Sequence, residues 1–368
     1  MMKKHVVTER QAISVIALFV LGTAMITGIG KDAGENAWIA LILATLIALP
    51  FQLMYARMLA NFPGKHILEI TDMVFGKVIS KIIGVFFLWN AIFVGAHLIK
   101  LFEDFIFIVD LNLTPEMIIM TLITIFLIQI LKSGIQVYAR WSELYLYLTI
   151  ITFVFITTFL TPIKQLTNVV PVMYDGFKPL ISGSMSILAF PMTQTFVFLL
   201  LFNNFSKKKS YYKVFTFGTL LGFLLLLVMT VDTLLVIGKD AYASSMFPPY
   251  MTLRRLHIGT FFQRFEMLLL LVFIYVGFIK IAAVYFSALV SFQHIFSLKS
   301  FKPFVIPISL LLAILGYLTF YDFLSFHPFL KEVYVPYAFV ANMLIPFIIF
   351  IAEEIYVRFK LNKNKTNA

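Results

Sequence analysis

The sequence has no cysteine, which excludes disulfides, thiol catalysis and thiolate metal sites. Charge is scarce as well. Asp, Glu, Lys and Arg make up 13% of the 368 residues, too few to coat a soluble domain of this length. There is no HExxH pair, Walker loop, Gly-x-Ser-x-Gly elbow or carboxylate dyad, and the six histidines form no ligand-spaced cluster. No enzyme activity, metal or cofactor is therefore expected.

What is present is apolar. Hydrophobic residues make up 61% of the chain, 42 of them Phe, and the mean hydropathy is +0.95. Such a chain is solvated by lipid, where only helices and closed barrels satisfy every backbone polar group. The apolar runs far exceed a barrel strand and do not alternate, so helices are expected. The pattern predicts an all-α membrane protein of about ten transmembrane helices at 11–31, 37–60, 79–105, 115–137, 139–161, 179–203, 211–238, 263–293, 303–321 and 333–357. The first run, from Gln11, is too long for the core of a signal peptide and is expected to be retained. The expected organisation is one transmembrane domain over 1–358, with repeats at about 8–162 and 175–358. A polar, disordered cytoplasmic tail is expected at 359–368.

The net charge of +11 does not require nucleic acid as a partner. With both termini inside, 19 of the 29 Lys and Arg residues fall on the inner side against six acids, and nine fall outside against 11 acids. That asymmetry is the positive-inside rule, and an odd number of spans would violate it. The partner it predicts is the bilayer.

Two spans carry residues that lipid-facing helices avoid. The first holds Gly22, Thr23, Ala24, Met25, Thr27 and Gly28; the sixth holds Ala189, Phe190, Pro191, Thr193 and Gln194. Gly weakens a helix and Pro removes a backbone donor, so both spans are candidates for breaks. Small residues that let helices pack closely are the alternative. Their placement favours breaks: each opens a set of five spans, and each set has a long connection after its second span, at 61–78 and 239–262. Five spans per repeat require the second to be inverted, and interrupted spans at matching positions point to a binding site near mid-membrane. Free N–H groups there attract a carboxylate and free C=O groups attract a cation, so a small neutral or zwitterionic solute such as an amino acid suits these residues.

Several segments carry a resemblance. They are Leu21-Gly22-Thr23 with Asp32-Ala33-Gly34-Glu35-Asn36-Ala37-Trp38-Ile39, Phe62-Pro63-Gly64-Lys65 with Gly76-Lys77, Ala139-Arg140-Trp141-Ser142-Glu143, and Val170-Pro171-Val172 with Gly176. Phe261-Phe262-Gln263-Arg264-Phe265-Glu266 completes the set. In order, and over nearly the whole chain, they resemble the spore-germination permeases, the B subunits of bacterial spore germinant receptors. That family is similar to the amino acid–polyamine–organocation transporters. The resemblance implies their five-plus-five inverted-repeat fold with discontinuous helices 1 and 6. It also implies a germinant-binding role in the spore inner membrane, with both termini on the core side. A receptor A subunit and a lipoprotein C subunit are the implied partners. Many relatives carry an acid in helix 6 where Phe190-Pro191-Met192-Thr193-Gln194 has none. The rival functions are a secondary amino-acid transporter, with or without proton coupling, and a ligand-gated ion pathway.

Two ionisable residues fall within spans. Lys280 is 16 residues from Arg264 and 14 from His294, near mid-membrane, where an ammonium is costly unless paired or hydrated. It either stands where sodium-coupled relatives hold a cation, between helices 1 and 8, or it snorkels or makes a structural pair with a carboxylate. Asp232 lies six residues before Gly238 and is either a proton site or an outer-leaflet structural pair. His97 and Lys100 are expected in the outer vestibule or interface.

Overall fold

The structure is a computed structural model that describes residues 7–174, 176–205, 207–256, 266–319 and 326–366. Residues 261–265 of the last resemblance segment, and Arg264 among them, lie outside the described residues. Among the described residues, ten helices are long and apolar enough to cross a membrane. They are α1 (Glu9–Thr27), α2 (Lys31–Asn61), α3 (Lys77–Val109), α4 (Glu116–Ser133), α5 (Ile135–Ile163), α6 (Phe177–Leu201), α7 (Lys208–Ser244), α8 (Glu266–Ile295), α9 (Lys302–Thr319) and α10 (Leu330–Phe359). Every expected span has its counterpart, with ends shifted by a few residues at most positions. The helical backbone at the C-terminus continues to Thr366, through most of the stretch expected to be a disordered tail. With an even number of spans, Thr8 and Arg358 share one end of the bundle, called here the terminal end; the other is the far end.

The two halves pack alike. α1 lies on α7 as α6 lies on α2, and α3 lies on α9 as α8 lies on α4; α2 with α7 and α3 with α8 are paired across the centre. Exchanging the halves therefore reproduces the contact pattern, as an inverted repeat requires. Burial follows the same plan. The apolar stretches of α1 and α6 are 83% and 89% buried, whereas α4 and α9 are 33% buried and α5 only 28%. The two interrupted helices are thus the inner pair, and α4, α5 and α9 face lipid.

Both long connections contain short helices that the span pattern misses. Ile67–Phe75 packs on α3 at the terminal end, and Pro248–Arg254 packs on α8 at the far end. Each also touches the second half of an interrupted helix: Ile67–Phe75 meets the end of α6, and Pro248–Arg254 meets the end of α1.

α1 and α7 approach closely because α7 presents glycine. A Cβ on Gly222 would lie 2.7 Å from Val20 Cβ and 2.8 Å from the Ala17 carbonyl, and one on Gly218 would lie 2.7 Å from Ile16 Cβ. α7 also kinks at Gly238 (φ 75°, ψ 172°). The carbonyl of Leu235 that the kink frees accepts from the Gln165 backbone N–H (2.8 Å) and the Asn168 amide (2.9 Å), and Arg255 donates to Val236 (3.0 Å). This is how membrane proteins tolerate breaks: freed groups find partners inside the protein.

Lys100 departs from expectation. It is not at a vestibule or interface but buried, with its Nζ 2.8 Å from Glu103, 2.9 Å from Asp104 and 3.1 Å from Glu116. The cluster ties the far end of α3 to the start of α4. The acids sit three and four residues on, the spacing that puts side chains on one helix face.

Two predictions follow from this packing. Gly222→Leu forces α1 off α7, since a backbone carbonyl cannot yield, and is expected to lower stability by about 1–3 kcal/mol, read as the thermal midpoint in detergent. His66, whose N–H is accepted by Glu69 at 2.9 Å, starts the Ile67–Phe75 helix. Burial pushes its imidazole down to about 4, with Glu69 and Asp72 opposing and His294 reinforcing the shift. The fold accepts the neutral ring, so its contribution is complete above about pH 6.5 and lost as pH falls toward 4. His66→Asn is expected to flatten the thermal midpoint across that window, and an unchanged slope would refute the assignment.

Candidate functional site

α1 is discontinuous. Its first segment, Glu9–Leu21, stops at Gly22 (φ 27°, ψ −135°); a single turn, Ala24–Thr27, follows and stops at Gly28 (φ 65°). Only glycine meets both demands at 22. The positive φ is one. The other is space, because a Cβ there would lie 2.3 Å from Cδ of Lys280.

α6 is discontinuous at the matching place. The helix Phe177–Ile187 widens into a π turn, Leu188–Met192, within which Phe190 is extended (φ −141°, ψ 113°). The Phe190–Pro191 peptide is cis. A 3-10 turn, Thr193–Val197, leads into Phe198–Leu201. Several freed groups are taken up locally. Thr193 Oγ1 donates to the Leu188 carbonyl (2.9 Å), and Gln52 of α2 donates to the Met192 carbonyl (3.2 Å) and to Thr195 (2.8 Å).

The two breaks meet at Lys280. Its stem lies against Gly22, and its Nζ sits over the ring of Phe190, 4.2 Å from the centroid, with Phe19 of α1 at 5.2 Å. Lys280 is fully buried, and among the described residues its Nζ has no hydrogen-bond partner. Cation–π contact with two rings offsets part of the desolvation cost. Among the described residues no carboxylate pairs with it, and two more buried polar atoms near the breaks are without hydrogen bonds: Thr23 Oγ1 and Gln194 Oε1. The amide nitrogen of Gln194 is engaged by Tyr334 of α10 at 2.5 Å.

The expected residues divide into those that line space and those that do not. Thr27, Gly28 and Phe190 bound a cavity of about 50 Å³, closed by Ile187 and Leu330. Phe190 and Gln194 bound a second, of about 20 Å³, with His97, Leu330 and Tyr334. Ala24, Met25, Ala189, Pro191 and Thr193 are buried in the turns themselves and line neither. Phe190 and Leu330 are the walls the cavities share. Both are far below the roughly 300–1,000 Å³ of ordinary ligand pockets, so the arrangement is a closed one. Asp32 lines the larger cavity and locks its far end, accepting from Ser182 (2.7 Å) and pairing with Lys331 (3.2 Å). At the terminal end a vestibule of about 880 Å³ reaches up to Phe286, six residues beyond Lys280.

Asp232 takes no part in this arrangement. It pairs with Lys164 at 2.6 Å and accepts from Thr157 at 2.7 Å, which joins α7 to the end of α5. His97, expected in the outer vestibule or interface, instead stacks on Phe329 (4.6 Å) beside the smaller cavity. Leu330 and Tyr334 have no feature in the sequence that marks them, since an apolar or aromatic residue at a span's start is ordinary.

Known proteins bear on this geometry. The structure is similar to that of Mhp1, a nucleobase-cation-symport-1 family transporter, in a closed conformation with bromovinylhydantoin bound; the TM-score is 0.64 at 14% identity, over 90% of this chain and 77% of that one. The likeness shows the inverted-repeat transporter fold. In sequence, the chain is 23% identical over 322 residues to spore germination protein KB of Bacillus subtilis (strain 168), covering 86% of this chain and 85% of that protein. It is 26% identical over 290 residues to the putative spore germination protein YfkT of the same organism, covering 78% of each. The sequence profile described as "Spore germination protein" matches residues 6–352, so this integral membrane protein, permease-like in fold, belongs to the spore germination protein family.

Proposed function

We propose that the chain is the germinant-binding B subunit of a spore germinant receptor, sensing a small solute such as an amino acid between the breaks of α1 and α6. The observation that carries this is the convergence of two helix breaks and two small cavities with three polar atoms, Thr23 Oγ1, Gln194 Oε1 and Lys280 Nζ, that have no hydrogen-bond partner among the described residues. Such groups are costly in lipid unless something completes them. A solute carboxylate suits free N–H groups and Lys280; its ammonium suits free carbonyls and Gln194 Oε1. Entry requires Phe190 to leave its place and the Asp32–Lys331 pair to open. Binding therefore favours an open arrangement in proportion to its differential affinity for it. A receptor A subunit and a lipoprotein C subunit would read that shift in the spore inner membrane, with the termini on the core side.

Lys280 has a defined part in this reading. It lies where α8 crosses the first break, beside the C-terminal end of Glu9–Leu21, the negative end of that helix dipole. Its ammonium replaces a bound cation, which makes the response sodium-independent. The fold likeness to a transporter also supports a second reading, a secondary amino-acid transporter that carries its solute across. Counterflow of labelled amino acid in proteoliposomes separates the two, since a sensor gives none.

Spores carrying Thr23→Ala, Phe190→Leu or Thr193→Ala, scored against a panel of germinants, are expected to shift preference. Unaltered preference in all three would remove the site. Lys280→Met is expected to cut the response at least tenfold, a loss of about 1.4 kcal/mol, while leaving thermal stability equal or higher, because an unpaired buried ammonium is removed. Full response from Lys280→Met, or a response that needs sodium, would refute its role.

A further inference from the structure

Away from the breaks, α4, α5 and α8 leave a lateral groove of about 510 Å³ between them. Its walls include Phe126 and Ile130 of α4, Val137 and Trp141 of α5, and Tyr275 and Phe278 of α8. The volume lies within the roughly 300–1,000 Å³ of pockets that hold drug-sized molecules. The groove is built rather than left over. Tyr145 stacks on Tyr275 with centroids 4.5 Å apart and planes 13° apart, and the Tyr138 hydroxyl donates to the Ile279 carbonyl at 2.9 Å. Both fix its floor.

α4 and α5 are rim helices, and Trp141 is 52% exposed. Among the described residues, no other element of the chain lines the groove. At this depth the surroundings are lipid, so an acyl chain fills it. Apolar contact alone cannot select one lipid over another, because lipid tails are as apolar as the groove. Charge can. Gln129 and Ser133 line the groove toward the terminal end, and Lys132 and Arg140, both exposed, adjoin the lining residues Ser133 and Trp141 in sequence, at the end of α4 and near the start of α5. Glu143, one turn after Arg140, is the acid beside them, so the cations outnumber it. Cations at a span's end attract anionic headgroups.

We propose that this groove is a site for an anionic phospholipid, with one acyl chain between α4, α5 and α8 and the phosphate against Lys132 and Arg140. The bound chain would press on the stretch of α8 that ends one residue before Lys280.

The test uses the full chain in proteoliposomes with Trp38 and Trp89 changed to Phe, leaving Trp141 as the sole tryptophan reporter. Its fluorescence is titrated with acyl-brominated phosphatidylglycerol or phosphatidylcholine. The anionic lipid is expected to quench Trp141 at roughly fivefold lower mole fraction per cation engaged. Lys132→Gln with Arg140→Gln is expected to abolish that preference. Val137→Phe, or Ser133→Leu should that variant not fold, is expected to fill the groove and weaken quenching by both lipids. A chain with Trp89 alone, on the open face of α3, is expected to show no headgroup preference. Equal quenching of Trp141 by the two lipids, or quenching unmoved by a groove-filling variant that folds, would overturn the proposal.

Discussion

Every peptide group that this chain places in the bilayer must find its hydrogen bond within the protein, and this constraint organises the molecule. It explains why α4, α5 and α9, which face lipid, are unbroken, while the breaks lie in α1 and α6, the two most buried spans. It also explains what surrounds the breaks. Gln52, Thr193 and Thr195 take up groups released around Met192, as Gln165 and Asn168 do for the kink at Gly238. Next to the breaks that compensation does not reach Thr23 Oγ1, Gln194 Oε1 or Lys280 Nζ, and polarity is left over in an apolar core. Leftover polarity in such a place is affordable only if it has a use.

The inverted repeat gives the leftover groups their position. Because the halves pack alike, the break in α1 and the break in α6 face one another rather than lying on separate surfaces. The short helices after α2 and α7 obey the same symmetry, each abutting the second segment of the broken helix in the other half. A change at either break therefore has a neighbour at the membrane surface. At the terminal end that neighbour starts at His66 and borders the large vestibule; at the far end it packs near Gly28, with Pro248 against that glycine.

Much of this was legible in the sequence, for physical reasons. Ten spans follow from run length, because nothing competes with helix in lipid. Both breaks follow from glycine and proline, the residues whose backbone chemistry makes breaks. Lys280 was legible as an anomaly but not as a contact, since only the fold brings Phe19 and Phe190 to it. Other parts carried weaker signals. The acids three and four residues after Lys100 could have placed it in a buried cluster, had helix-face spacing been given more weight than its distance from the span's end. The helix Ile67–Phe75 was hidden because its nine residues are too few to cross a membrane and so leave no span-length apolar run. Leu330 and Tyr334 were not legible at all. Their contribution is shape, and shape at a cavity wall depends on which helices meet there.

The close seam between α1 and α7 has a mechanical consequence. Ile16 and Val20, before the fracture in α1, sit in notches at Gly218 and Gly222, and the hydroxyl of Tyr242 grips the Ile29 carbonyl beyond it at 2.7 Å. α7 thus splints the broken helix from both sides. The fracture cannot flex privately: any swing of one fragment must drag the splint or tear it loose. A disturbance born at the centre of the bundle therefore meets α7 twice, along the stretch before Gly238 through Ile16 and Val20 and along the segment after that kink through Tyr242.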